Sequence, residues 1–213
     1  MFRFFHVTKA YPGEKGIYDI SFDAVPGQAV LLYGRNGCGK STILRIIARL
    51  KEPDQGILLW KGASLEKLPL RICGYLPEEK ALFAESSVLE FLKMMGRIRQ
   101  VSSECVSRRI KSIAEQFEME NIKSLPIKKL SKGNAQIVSF MASVIHEPAL
   151  LLLDEPMSGL DPQRQKIMAG IIRDYARNHV VIVSTHQEWL WETVKGKKIT
   201  LDKGRIMNEE TIE

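Results

Sequence analysis

Between a short apolar run, Ala29–Tyr33, and a stretch of helical pattern, Ser41–Leu50, lies the segment Gly34-Arg35-Asn36-Gly37-Cys38-Gly39-Lys40-Ser41-Thr42. Its spacing, Gly-x4-Gly-Lys-Ser in a strand–loop–helix setting, is that of a phosphate-binding loop. The chemistry needs these residue types. Glycines let backbone N–H groups curl around phosphate oxygens, the helix N-terminus adds its positive end, Lys40 reaches the outer phosphates, and the Ser41 hydroxyl can ligate Mg²⁺. Cys38 is a small residue at a variable loop position, where filler is the expected role. Far along the chain, Leu150–Leu153 reads as a buried strand that ends in two carboxylates, Asp154 and Glu155. Asp154 can hold Mg²⁺, directly or through water. Glu155, one residue later, points elsewhere and can polarise an attacking water as a general base. An apolar run before Asp-Glu is weak on its own. Joined to the phosphate loop it specifies metal-assisted attack of water on a phosphate.

The elements that must position these groups alternate between strand and helix, which predicts an α/β fold with a mainly parallel sheet. Phe2–Val7, Tyr18–Phe22, Ala29–Tyr33 and Ile57–Trp60 read as strands, and a further short strand ends at Tyr75. Pro26-Gly27 and Pro53-Asp54-Gln55-Gly56 are turns. From about 79 to 145 the apolar residues recur at helical spacing, as in Val88, Phe91, Leu92 and Met95, or Ile110, Ile113, Ala114 and Phe117, so a helical insert is expected. Strand character returns at Leu150–Leu153 and Val180–Ser184. The helix between them has Asp161 to cap it and Pro162 to open its first turn. A last hairpin turns at Asp202-Lys203-Gly204.

Bulk properties narrow the class. The 213 residues suffice for one ordinary globular domain with a real core. The apolar run Ala149–Leu153 is far below the roughly 18 residues needed to cross a bilayer, and the N-terminus lacks the apolar stretch of a signal peptide, so a cytoplasmic chain is expected. Cys38, Cys73 and Cys105 are an odd number without a CxxC pair and read as reduced thiols. The net charge of +6 is concentrated in residues 93–132, where ten Lys and Arg face four Glu. A solvated helical face is the plain reading of that run, and a face turned toward anionic lipid headgroups the sharper one.

Three further segments carry a resemblance. Leu130-Ser131-Lys132-Gly133-Asn134 opens a helix before Asp154, Ser158-Gly159-Leu160-Asp161 follows Glu155, and Ser184-Thr185-His186 ends the next strand. With the phosphate loop they resemble, nearly end to end, the ATP-binding domain of ABC transporters. The resemblance implies an α/β fold built on a RecA-like phosphate-loop NTPase core with a parallel sheet, an N-terminal antiparallel β subdomain and an inserted helical subdomain. It implies one domain over 1–213, with 1–78 and 146–213 as the nucleotide-binding core and 79–145 as the helical subdomain.

It also implies ATP and Mg²⁺ as cofactors and ATP hydrolysis as the reaction. Tyr11 stands like the aromatic that stacks on adenine, and Gly34 to Thr42 cradle the phosphates. Ser41 and Asp154 hold the metal, Glu155 is the base, and His186 contacts the γ-phosphate and the catalytic carboxylate. Two chains would form a head-to-tail dimer, each loop facing the partner's Ser131 and Gly133, with Ser158–Asp161 linking the two sites. A separate membrane-spanning permease would be the partner, the chain lying peripherally on the inner membrane face. No nucleic acid is expected. The segment Leu82, Phe83, Val88 and Phe91 reads as ordinary apolar core or, by the resemblance, as the region that grips a short cytoplasmic helix of the permease. Trp189, Leu190 and Val194 read as core. The signature and the Tyr75-Leu76-Pro77-Glu78-Glu79 segment look most like ATPases of ABC-2-type exporters, with a soluble ABC ATPase of nucleic-acid repair or translation as the alternative. Two departures stand out: Lys132 and Asn134 replace the family's glycine and glutamine in the signature, and Glu78 stands where the family has a glutamine at the metal and the attacking water.

Overall fold

The computed structural model describes residues 1–13, 15–79, 82–194 and 196–212, and only the backbone of Glu120, Trp191, Glu192 and Ile212. Two sheets organise it. One is antiparallel, built from β1 (Phe2–Tyr11), β2 (Lys15–Ala24), β4 (Gln55–Trp60) and β5 (Ala63–Ser64) in the order β2-β1-β4-β5. The other contains β3 (Ala29–Tyr33), β6 (Cys73–Leu76), β7 (Leu150–Asp154), β8 (Val180–Thr185), β9 (Gly196–Asp202) and β10 (Arg205–Ile212) in the order β10-β9-β3-β8-β7-β6. Every neighbouring pair in it is parallel except β9 with β10.

The parallel strands are apolar without alternation because both of their faces are covered. Successive side chains of a strand point to opposite faces, and the two cores divide accordingly. Leu31, Leu151, Leu153, Val181 and Val183 enter one, with Phe91, Phe140 and Ile172 from the helices. Val30, Leu32, Leu150, Leu152, Val180 and Ile182 enter the other, with Ile43 and Leu44 of α1 (Lys40–Ile47) and with Phe2, Phe4 and Phe22 of the antiparallel sheet. The helix that follows the phosphate loop is thus held between the sheets. The fold class implied by the sequence is the one observed.

Several boundaries differ from expectation, each for a local reason. The first strand continues past Val7 to Tyr11, because His6 (φ 50°) and Asp19 (φ 53°) take left-handed backbone and β1 shifts register against β2 on both sides of Val7. Such bulges interrupt the period-two pattern without ending the strand. Among the described residues of the insert, helical structure starts only at α2 (Val88–Ile98), where Ser87 and Glu90 form a reciprocal capping box. Ahead of it, Ser87 bridges to Pro126 in extended backbone. α3 (Ser103–Gln116) is capped by Ser102, and α4 (Lys132–Val144) by Ser131. α5 (Pro162–Ala176) is capped by Asp161, and α6 spans Trp189–Val194.

Part of the basic run at 93–132 is engaged in contacts within the chain. Arg109 donates to the Ile145 carbonyl at 2.5 Å and pairs with Glu147 at 2.6 Å, Arg99 donates to the Leu70 carbonyl at 2.9 Å, and Lys128 pairs with Glu85 at 2.6 Å. They tie α3 to the end of α4 and the end of α2 to the segment before β6, while Arg97, Arg108, Lys111, Lys128, Lys129 and Lys132 are exposed, as the plain reading of a solvated face expects. All three cysteines are free, Cys38 and Cys73 in buried positions.

Candidate active site

Three adjacent strands deliver the chemistry at their C-terminal ends, where open parallel sheets place their ligands. β3 runs into the phosphate loop, β7 ends on Asp154 and β8 on Thr185, with Tyr33 opposite Thr185 and Asp154 opposite Ser184. The loop itself depends on backbone that side chains resist. Gly34 (φ 150°), Gly37 (φ 81°) and Gly39 (φ 112°) all have positive φ, and a methyl on Gly39 would come within 2.6 Å of Ile17 Cγ2. The last hairpin braces the loop: the Gly204 N–H donates to the Cys38 carbonyl at 3.1 Å. Cys38 is 4% exposed and its side chain belongs to the α1-side core, so filler is its role.

The loop faces a cleft of about 350 Å³ lined by Tyr11, Lys15, Gly16, Asn36, Gly37, Gly39, Lys40, Ser41, Thr42, Glu78 and Glu155. Lys40 is 6% exposed, and its ammonium donates to the Gly34 carbonyl at 2.7 Å and the Arg35 carbonyl at 3.4 Å. Asp154 is fully buried. Its Oδ1 accepts from Ser184 Oγ at 2.5 Å and from Ser41 Oγ at 3.1 Å, while Oδ2 is buried without a hydrogen-bond partner among the described residues. A buried carboxylate oxygen left in this state costs free energy unless something positive meets it. Burial and then the Asp154 charge push the nearby Tyr75 phenol up to about 12. Hydroxyl and carboxylate oxygens suit Mg²⁺, which takes one or two carboxylates and fills its shell with phosphate and water. Ser41 and Asp154 therefore fit the ion.

Glu155 departs sharply from its neighbour. Its φ of 47° is unusual for a residue other than glycine and turns the side chain away from the strand. Such backbone costs on the order of 1–3 kcal/mol and persists where surrounding bonds hold it. Here the Glu155 N–H donates to Ser184 Oγ at 3.0 Å, and its carbonyl accepts from Gln136 Nε2 at 3.3 Å and the Ser158 N–H at 3.1 Å. The carboxylate is 13% exposed, with Oε2 3.0 Å from His186 Nδ1 and Oε1 4.0 Å from Lys40 Nζ. It sits between the phosphate-binding lysine and an exposed imidazole.

The structure thus gathers Tyr11, Asn36, Gly37, Gly39 to Thr42, Glu78 and Glu155 around one cleft, with Asp154 buried behind it on Ser41 and His186 beside it on Glu155, while Gly34, Arg35 and Cys38 do not line it. Ser131, Gly133 and Asp161 do not line it. Ser131 caps α4, Asp161 caps α5, and Gly133 lies against the Gly159 carbonyl. Lys15 and Gly16 line the cleft without having been marked by the sequence, as β2 begins where β1 has carried Tyr11. Gln136 was also missed, and no local spacing signals it.

Comparison with known proteins agrees with this geometry. Residues 17–158 match the family model described as ABC transporter. An uncharacterised ABC transporter ATP-binding protein of Methanocaldococcus jannaschii is 34% identical over 98% of this chain and 76% of its own length. The uncharacterised ABC transporter ATP-binding protein YhaQ of Bacillus subtilis is 30% identical over 94% of this chain and 67% of its own. The mouse organic anion transporter ABCA8B is 28% identical over 96% of this chain, which corresponds to 13% of that protein. Among solved structures, an ATP-binding subunit of an ABC transporter superposes with a TM-score of 0.90 at 27% identity, covering 100% of this chain and 90% of that one. A dimeric bacterial ABC transporter cassette has a TM-score of 0.89 at 23% identity, covering 100% and 99%, and supports the fold. No helix among the described residues is long and apolar enough to cross a membrane. With the phosphate loop, the buried Asp154 and the oriented Glu155 in one cleft, the chain belongs to the ABC transporter family, as an ATP-binding subunit that hydrolyses ATP.

Proposed function

We propose that two chains of this kind close head to tail on two ATP molecules and drive a separate membrane-spanning permease, in an exporter of the ABC-2 type. The observation that carries this reading is that the cleft holds a phosphate cradle, a metal carboxylate and a base, while Ser131 and Gly133 lie outside it. One chain offers half a site, and a second would complete it. In this reading Tyr11 stacks on the adenine, the loop N–H groups and Lys40 hold the phosphates, and Ser41 and Asp154 hold Mg²⁺. The ion, when bound, neutralises charge on the phosphate oxygens. Glu155 accepts the proton of the attacking water, and His186 orients that carboxylate while facing the γ-phosphate. Residues 79–145 act as a helical subdomain inserted into the nucleotide-binding core formed by 1–78 and 146–213.

The permease reading has its own support in a groove of about 360 Å³ whose lining includes Leu50, Leu70, Pro77, Phe91 and Met95. Leu50 and Leu70 are 61% and 62% exposed, and Phe83, 57% exposed, packs edge-on against Phe91 at 5.9 Å. Of the four residues singled out for gripping a partner, Val88 and Phe91 are core, Leu82 is partly buried and Phe83 is exposed. The likeness to a mouse organic anion transporter supports a transport role. Placement on the inner membrane face follows from the permease. The test is co-expression with the product of a neighbouring gene that encodes about six apolar spans. The wild type should co-purify with it in detergent, and Leu70→Asp should lose the complex while keeping its ATPase activity. A wild type that does not associate would sink the reading.

Glu78 is exposed and lines the cleft. We propose that its carboxylate strengthens Mg²⁺ binding in place of the family's glutamine. In water a unit charge about 4 Å from a divalent ion contributes about 2 kcal/mol, twice the figure for two unit charges. Glu78→Gln is then expected to need about thirty-fold more Mg²⁺ for half-maximal turnover, by that same estimate. Superimposable Mg²⁺ curves would dispose of the metal role.

A further inference from the structure

We infer that Arg164 is a positioning residue for the surface that this chain presents to the second nucleotide, acting through Asn134 on Ser131. The inference rests on the shared-site reading above. Arg164 lies in the first turn of α5, next to the Asp161 cap. Its backbone N–H donates to Asp161 Oδ1 at 3.0 Å, and its Nε lies 3.7 Å from Asp161 Oδ2. Held there and 28% exposed, the side chain donates from Nη1 to Asn134 Oδ1 at 2.8 Å. Asn134 in turn donates its backbone N–H to Ser131 Oγ at 3.2 Å.

The direction of each bond gives the chain of effects its meaning. As a cap, Ser131 uses an oxygen lone pair to accept from Asn134, which leaves its hydroxyl hydrogen to donate outward. Where that hydroxyl points depends on where Asn134 sits, and Arg164 fixes Asn134. A glutamine at 134 would place its amide one methylene farther out, so the shorter Asn134 belongs with Arg164 as a pair. Two other contacts make the segments 131–136 and 155–164 one block. Gly133 lies on the Gly159 carbonyl, with only 2.8 Å for an added methyl, and Gln136 Nε2 donates to the Glu155 and Pro156 carbonyls at 3.3 and 3.1 Å. Met157 and Leu160 anchor the block in the core. Lys132, in the turn itself, lays its stem over Gly159, while Arg164 reaches the turn from α5 and holds Asn134 by a hydrogen bond, so loss of Arg164 should loosen that turn without touching the chain's own phosphate cleft.

The experiment compares Arg164→Ala, Asn134→Ala, their double variant, Asn134→Asp and Ser131→Ala. Each is measured for fluorescent-nucleotide binding to the monomer and for ATP half-saturation of hydrolysis and of dimer formation. A hydrogen bond to a charged group lost at this point predicts an increase of about ten-fold in half-saturating ATP for Arg164→Ala and for Asn134→Ala, with no further increase in the double variant. Monomer nucleotide binding should stay within about two-fold, the scatter expected when no contact to the ligand is lost. Asn134→Asp, which keeps the acceptor for Arg164 but adds a charge of the same sign as phosphate, should raise half-saturating ATP less than Asn134→Ala does. Unchanged half-saturation for the alanine variants, or additive effects in the double, overturns the inference if Ser131→Ala raises half-saturating ATP. If Ser131→Ala also changes nothing, the shared-site reading itself falls, and this inference falls with it. Should Arg164→Ala fail to fold, Asn134→Ala and Asn134→Asp decide the question alone.

Discussion

Glu155→Gln is expected to bind ATP, to lose hydrolysis by at least about 100-fold and to accumulate as an ATP-bound dimer, since positioned general bases contribute about 10²- to 10⁴-fold. The substitution changes one atom. An amide keeps the size and the contact distance to His186, now 3.0 Å from Oε2, but it cannot take a proton from water. The backbone that aims the side chain is held by Ser184 and Gln136 through main-chain groups, so the turn at φ 47° should survive the change. Loss of the negative charge 4.0 Å from Lys40 should if anything favour anionic phosphates in the cleft. Binding and hydrolysis are therefore expected to separate. Rapid-quench assays of phosphate release together with size-exclusion chromatography in ATP read both. Turnover like the wild type would remove Glu155 from the role of base.

How much of this arrangement was legible depends on how far along the chain its causes lie. The phosphate loop could be read because strand, glycines, lysine and helix follow within a single segment, Ala29 to Ile47. Asp154 could be read because it ends a strand buried on both faces, which leaves an uninterrupted apolar run before it. The start of α2 was also written locally, in Ser87 and Glu90, although the apolar residues before it suggested an earlier start. Other features depend on pairings that no local pattern reveals. Tyr11 reaches the cleft only because β1 passes through bulges that break its alternation. Gln136 acts 19 residues from Glu155, and Arg164 acts 30 residues from Asn134. Those contacts exist because α4 and the turn after β7 pack on one core, and their side chains look like ordinary helical surface in the sequence. The basic run at 93–132 is largely the solvated face that its composition suggests, and what the sequence does not show is that Arg99 and Arg109 also donate to backbone carbonyls.

Lys40→Ala is expected to abolish measurable turnover and to weaken ATP binding by about 10- to 100-fold, the size of one or two charge-assisted hydrogen bonds. Its ammonium is already confined: at 6% exposure it bonds the Gly34 and Arg35 carbonyls at 2.7 and 3.4 Å and faces Glu155 at 4.0 Å. Phosphate oxygens entering the cleft would meet a cation whose side-chain entropy has largely been given up beforehand, which is what makes it effective. Removal does more than delete one contact. Glu155 and Asp154 would then face the incoming phosphates with no buried cation between them, and carboxylates of the same sign as the ligand repel it. The fold should persist, because α1 is anchored by Ile43, Leu44, Ile46 and Ile47 in the core and not by Lys40. Thermal melting with and without Mg-ATP separates the two effects. The variant should melt near the wild type without nucleotide and gain little with it, since stabilisation by a ligand follows its affinity. A variant that still gains the full wild-type shift would show that the phosphates are held by the backbone cradle alone.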